Sequence, residues 1–398
     1  TISGGIIAIS DPNSLGTTGG ATTVNSGAAL YISNAITVAE PITISGTGVS
    51  SGGAIRFTGD NNTYSGAITL GATSTIVSNS GQQIISGTIN GTNDNTEALT
   101  ITANDDLTIS GVIGGIANKQ LSTLDITTTG TGVLTLSNNI TTDGDQAYTA
   151  AGGVLLGANI TLTATGSDIL FSGIASTVDS DGTTRNLTVS ASEIEFDGAV
   201  GGSAALGAIS ITGDLDLDAN ITSATSLSVS ADTNLGANVT TTGSQTYNGA
   251  VTLSANINLT TTSDGNVSFD STTDSDVTDR TLTITTNGTG DVSFTGAVGG
   301  GITGGLNGLT IDTNQFNAAA LTVGGTISIT NTDTVFSEIT GVIANDGDAA
   351  VFTKEGTGTL KLSGTNIYTG ATSVNAGTLK VTANDALGTT AGETTVAS

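Results

Sequence analysis

The 398-residue chain has no cysteine, histidine, methionine or tryptophan. Without Cys there is no disulfide framework, thiolate zinc site or cysteine nucleophile. Without His the usual general base and the commonest transition-metal ligand are missing. Two prolines, Pro12 and Pro41, lie near the N-terminus, and aromatics amount to eight Phe and five Tyr. The basic residues Arg56, Lys119, Arg185, Arg280, Lys354, Lys361 and Lys380 face 34 acidic groups, a formal charge of −27. That balance excludes nucleic acid as a partner, because no basic stripe exists to neutralise phosphates and the net field repels them. No apolar run reaches the roughly 20 residues of a membrane helix. No set of amphipathic barrel strands is present either, so no transmembrane segment is expected in these residues. Thr1 is not an initiator Met and no signal peptide is present, which leads to the expectation of a processed product or an excerpt of a longer chain.

What is present is Thr, Ser, Ala, Asn and 57 glycines. Strong helix formers are scarce, while Thr, Val and Ile suit strands and Gly and Asn suit tight turns, so an all-β fold follows. The pattern Gly-apolar-apolar-Gly-Gly recurs at Gly111–Gly115, Gly198–Gly202 and Gly296–Gly300. Phrases of the type Ala-Asn-Ile-Thr place Asn139, Asn159, Asn220, Asn238 and Asn256 at steps of 20, 61, 18 and 18 residues, the long step holding three turns. A unit of about 18 to 20 residues is the size of one turn of a parallel β-helix, where each turn buries its apolar side on the next. Asn tolerates the left-handed backbone and can ladder with Asn above and below it. The residue after it (Ile140, Ile160, Ile221, Val239, Ile257) is expected to point inward. A longer module is overlaid, since Gln146-Ala-Tyr148 and Gln245-Thr-Tyr247 stand 99 residues apart and are followed by parallel text.

Alternation within strands supports the stack. In the runs starting at Leu99, Leu134, Leu187, Leu282 and Leu360 the first and third residues are apolar and point in, with Thr, Ser or Lys pointing out. No linker interrupts the pattern, so residues 1–398 are expected to form a single elongated β-helix of about 20 coils, on the order of 100 Å long at about 4.8 Å per coil.

Residues 356–388 read GTGTLKLSGTNIYTGATSVNAGTLKVTANDALG. Through Gly358-Thr-Leu-Lys-Leu-Ser-Gly364, Asn366-Ile-Tyr-Thr-Gly370, Thr372-Ser-Val-Asn-Ala-Gly-Thr-Leu379 and Ala386-Leu-Gly388, this segment resembles the passenger-associated transport repeat of autotransporter passengers. Gly59-Asp-Asn-Asn-Thr-Tyr-Ser-Gly66 carries a weaker echo. The remainder is similar in texture to the Thr- and Gly-rich strand repeats of large bacterial surface proteins. The resemblance implies a right-handed parallel β-helix exported through the outer membrane, with folding from one end assisting export. It also implies an extracellular or bacterial cell-surface location, with outer-membrane attachment made by regions not present here. The family's signal peptide and C-terminal barrel are not among these residues.

Acidic turns occur at Asp143/Asp145, Asp179/Asp181, Asp274/Asp276 with Asp279, and Asp346/Asp348. Alternating carboxylates around a turn supply the oxygens calcium prefers. Asp179, Asp181, Asp274 and Asp276 are the calcium candidates because they hold equivalent module positions. Arg185 and Arg280 follow them and can pair with them instead, and solvated turn aspartates are the competing reading. No other cofactor and no catalytic residue is expected. A glycosidase needs two carboxylates about 5 to 9.5 Å apart and a lyase adds a basic proton acceptor, whereas these acids repeat at turns. Thr-x-Thr runs can match an ice lattice, yet uneven coil steps spoil a flat array. The expected function is structural and adhesive: a stiff stalk or filament-forming rod. The alternatives are a face that binds glycan or a host surface protein, and a self-associating fibre subunit with end-to-end or lateral contacts. Tyr31, Tyr64, Tyr148, Tyr247 and Tyr368 are too sparse for a continuous glycan-binding strip.

Overall fold

The computed structural model describes residues 1–397 except Asp60, Asp94, Ile302, Thr303, Thr334 and Phe336. It is an all-β parallel solenoid of about 18 turns with almost no helix. Among the described residues the helical content is one 3-10 turn, Val49–Ser51. The chain divides into two compact units, Thr1–Ala208 and Ile209–Ser398.

Each unit is built on inner columns of stacked residues. In the first, Ile42, Ile68, Ile89, Ile113, Ile140, Leu162 and Val189 lie one above another in parallel register. In the second, the column runs Ile221, Val239, Leu259, Ile284, Ile311, Ile329, Lys354 and Val374. The alternation read from the sequence holds: Leu99, Ile101, Leu134, Leu136, Leu187, Val189, Leu282, Ile284, Leu360 and Leu362 are all buried. Each such side chain contributes about 1.5–3 kcal/mol by leaving water.

Steps along the second column range from 18 residues (Ile221 to Val239) to 27 (Ile284 to Ile311). The span is wider than 18 to 20, so fewer turns fit than the expected 20. Strands are bound to the register of their neighbours, because a one-residue slip turns every inner side chain outward. Corners are free to bulge, and they absorb the extra length. The Asn phrases also stack with an offset: Ile140 lies on Leu162 and Val239 on Leu259, each two residues past Ile160 and Ile257. All five residues following the Asn are nevertheless buried. The Asn side chains tie successive turns through the backbone. The N–H groups of Thr161, Asn186, Asn238 and Thr281 donate to Oδ1 of Asn139, Asn159, Asn220 and Asn256 at 2.8, 2.9, 2.9 and 3.0 Å.

The Gly-apolar-apolar-Gly-Gly segments are corners that plug the core. Ile113, Val200 and Val298 are fully buried and bridge to neighbouring turns. A Cβ on Gly111 would lie 1.9 Å from the Gly87 carbonyl oxygen. Gly114 has φ +68°, and a Cβ there would lie 1.9 Å from the Thr141 oxygen, so any larger residue is excluded twice over.

Rings stack in the same way. Tyr148, Phe171 and Phe196 have centroids 5.2 and 5.1 Å apart, and Tyr247, Phe269 and Phe294 have centroids 5.1 and 4.5 Å apart. Such pairs add about 0.5–1.5 kcal/mol each beyond area burial. The Gln of each Gln-x-Tyr unit is the other inner residue. Gln146 Nε2 donates to Thr142 Oγ1 (3.1 Å) and the Thr163 carbonyl (2.7 Å), and the Tyr148 hydroxyl donates to Gln146 Oε1 (2.7 Å). Gln245 and Tyr247 repeat this with Thr241 and Thr260.

Because Phe269 is stacked on both faces, Phe269→Ala is expected to lower the unfolding free energy by about 3–5 kcal/mol. The outward Ser268→Ala is expected to change it by less than about 0.5 kcal/mol. Urea unfolding followed by circular dichroism compares the two.

Candidate functional site

The acidic turns resolve into individual partnerships. Asp179 is the middle residue of strand Val178–Ser180 and is 4% exposed. Its Oδ1 accepts the N–H groups of Ser203 (2.8 Å) and Ala204 (3.0 Å) from the next turn. Asp181 is gripped by the Arg185 fork, Nε at 2.9 Å and Nη2 at 2.8 Å. The second module repeats the plan: Asp274 accepts the Gly301 N–H at 3.0 Å, and Arg280 grips Asp276 at 3.1 and 2.9 Å. Among the described residues, neither pair has two further acidic ligand atoms clustered with it at metal-binding range. Asp274 and Asp279 come instead within electrostatic reach of Asp346, whose carboxyl is pushed up first by burial and then by those two charges.

Other carboxylates act as Asp179 does. Asp106, Asp214, Asp232 and Asp264 accept the N–H groups of Val133, Asp232, Ala250 and Thr289 from the following turn at 2.9, 3.0, 2.8 and 2.7 Å. Hydrogen bonds to the charged form favour it. The Thr289 N–H and hydroxyl hold Asp264 below its ordinary range, and the arginine forks do the same for Asp181 and Asp276. Much of the acidic composition is therefore spent on tying turn to turn.

The segments that carry the repeat-like text share a buried Asn-x-Tyr plug. Asn62 Oδ1 accepts the Ile36 N–H (3.2 Å), its Nδ2 donates to the Gly59 carbonyl (2.8 Å), and the Tyr64 hydroxyl donates to the Glu40 carbonyl (2.7 Å). Asn366 Oδ1 accepts the Ile343 N–H (2.8 Å), its Nδ2 donates to the Ala386 carbonyl (2.6 Å), and Tyr368 shares a 2.6 Å hydrogen bond with Thr372. Tyr64, Tyr148, Tyr247 and Tyr368 are all fully buried, so these tyrosines belong to the core. The signal was available: an amide two residues before the Tyr puts both on the inner side of a strand. Asp60, in the weaker echo, lies outside the described residues.

Lys354 occupies an inner column between Ile329 and Val374 and is fully buried. Its Nζ donates to the carbonyls of Glu355 and Gly356, the latter at 3.0 Å. Burial lowers its pKa to about 8, against the opposing charge of Glu355.

Residues 50–72 and 352–381 match the passenger-associated transport repeat family, and each matched segment contains one Asn-x-Tyr plug. With the β-solenoid, this match fits an autotransporter passenger domain and implies a domain directed to the cell surface or beyond. No curated protein and no solved structure matches the chain. No helix among the described residues is long and apolar enough to cross a membrane.

Asn366→Ala orphans a buried N–H and a buried carbonyl and is expected to cost about 1–3 kcal/mol for each group left unsatisfied, read by urea unfolding. Asp181, Asp264 and Asp276 titrate below the ordinary 3.8, so their stabilisation is complete above that value and is lost as pH falls through their depressed folded values. The urea midpoint is expected to hold down to about pH 4 and to fall below it. Lys354 has the opposite sense. Between about 8 and the ordinary 10.5 the unfolded chain holds more protons, so stability rises with pH through that window. In Lys354→Met this contribution is expected to vanish, read as a flatter midpoint against pH than in the unchanged chain. A calcium ion at either aspartate pair has to displace an arginine fork, and Tm with and without calcium, in the unchanged chain and in Asp276→Asn, checks for one.

Proposed function

We propose that this chain, a β-solenoid of autotransporter-passenger type, serves as a stiff stalk segment of a secreted or surface-displayed protein that is attached to the outer membrane by regions outside these residues. The observation that carries this reading is the inner column of each unit, which continues from turn to turn past local register shifts such as those at Ile44/Gly46 and Leu306/Gly308, with Thr, Ser and Asn filling the outward strand positions. Stability in such a stack is a sum of turns and turn-to-turn interfaces, so length can be gained or lost in whole turns without redesigning a core. Adhesive contacts in this reading are made by loops and corners carried on the stalk. The repeat-matched turns, with their Asn-x-Tyr plugs, keep the stack in register where no disulfide is present.

The register gives a direct test. Thr233, Asn234 and Leu235 lie under Val251, Thr252 and Leu253, so deleting residues 233–250 removes one whole turn and rejoins matching strands. That deletion is expected to keep strand content and cooperative unfolding, and single-molecule pulling should show a contour length shorter by that one turn. Deleting residues 233–241 breaks the register and is expected to abolish cooperative unfolding. If both deletions behave alike, the modular-stalk reading fails.

A further inference from the structure

We propose that a pocket under the loop at residues 11–20 binds a small organic molecule through a primary ammonium group, with Glu40 as its counter-charge. Glu40 is 5% exposed, and its Oε2 is buried with no hydrogen-bond partner. Leaving such an atom unpaired costs its full desolvation penalty, which is larger for a charged group. Its place in the fold is a corner. Gly66, Gly87 and Gly111 follow it in successive turns, each so close that a Cβ would lie 2.2, 1.7 or 1.9 Å from the carbonyl oxygen of the residue below. A carboxylate therefore stands at the head of a column whose next three members have no side chain.

The surroundings fix the direction of that carboxylate. Tyr64 and Gly66 pack on the Glu40 backbone carbonyl, which leaves the side chain the space toward the loop; a Cβ on Gly20 would lie 3.9 Å from Oε1. The loop satisfies its own backbone: the Asn13 N–H donates to Asp11 Oδ1 (2.9 Å), the Gly16 N–H to the Asn13 carbonyl (3.0 Å) and the Gly20 N–H to the Thr17 carbonyl (3.1 Å). None of these donors reaches Glu40. Between loop and strand Thr37–Val38 is a cavity of about 510 Å³, lined by Pro12, Asn13, Thr17, Thr18, Thr37 and Glu40 among others.

The chemistry of the occupant follows. A volume within the range of about 300–1,000 Å³ suits a small molecule, whereas a bare ion would leave most of it empty. Calcium wants about six to eight oxygens, commonly from several carboxylates, and a single carboxylate lines this space. A primary ammonium supplies both a neutralising charge and N–H donors for the Glu40 carboxylate, whose Oε1 lies on the loop side. The net charge of −27 concentrates cations near the surface. Threonine hydroxyls and the Asn13 amide are left for polar groups on the rest of the ligand.

Glucosamine, N-acetylglucosamine and glucose share a ring and differ in carrying an ammonium, an amide or a hydroxyl. Saturation-transfer NMR on the whole chain is expected to show glucosamine binding, with the other two weaker by about tenfold or more. Glu40→Gln is expected to weaken glucosamine by a similar factor. Ala39→Phe, which fills the pocket wall from an exposed position, should do the same with thermal unfolding unchanged. No binding of glucosamine, equal binding of glucose, or binding that survives either substitution in folded protein would overturn the assignment.

Discussion

Each turn of this chain can bury its apolar side only on the turn next to it, and a parallel ladder admits one register for doing so. The composition follows from that constraint. Inner positions take Leu, Ile, Val and stacked rings, as in the column from Ile42 to Val189. Corners where backbone crosses backbone take Gly, as at Gly111 and Gly114. Outward strand positions are unconstrained by the core and drift to Thr and Ser, which suit strands and remain soluble. Charge is exported to the corners, where carboxylates such as Asp232 and Asp264 replace a carbonyl as acceptor for the next turn.

Buried polar groups sharpen the same register. An all-aliphatic column tolerates a slip of one whole turn, because Ile over Leu packs about as well as Ile over Val. Asn366 does not, since its amide is shared between Ile343 on one turn and Ala386 on another, and a slip leaves both without partners. Asn62 and Gln146 impose the same condition elsewhere in the first unit. Lys354 goes further, placing a basic group in an aliphatic column where only the carbonyls of Glu355 and Gly356 make it tolerable.

The fold was legible in the sequence wherever one inner residue alternates with one outer residue, since period two reports burial directly: Leu99, Ile101, Leu282 and Ile284 are read correctly from spacing alone. Turn length was less legible. The Asn phrase repeats at 18 residues only from Asn220 to Asn256, and corners elsewhere carry insertions that the core does not feel. The two-residue offset of Ile140 on Leu162 is likewise invisible to a motif search, because both Ile160 and Leu162 face inward. The tyrosines are too sparse for a continuous strip, but the burial of Tyr64, Tyr148, Tyr247 and Tyr368 shows only in strand position, which a count of aromatics leaves out. The arginine forks at Asp181 and Asp276 were foreseeable from the four-residue spacing, whereas the burial of Asp179 depends on the turn above it.

A repeated residue in a solenoid is explained by the neighbour it repeats against, so scaffold chemistry and other chemistry separate by whether a position has copies. Asp181 with Arg185 and Asp276 with Arg280 are copies of one corner, and their geometry is accounted for by that corner. Glu40 has no copy: the equivalent places above it are Gly66, Gly87 and Gly111. Stacking gains nothing from a carboxylate there, and burying its Oε2 without a hydrogen bond works against the fold. The loop at residues 11–20 is itself a copy, Leu15-Gly-Thr-Thr18 recurring as Leu387-Gly-Thr-Thr390, so it is Glu40 at the corner that loop roofs, rather than the loop or the repeated acidic turns, that marks where this solenoid can carry a specific contact of its own.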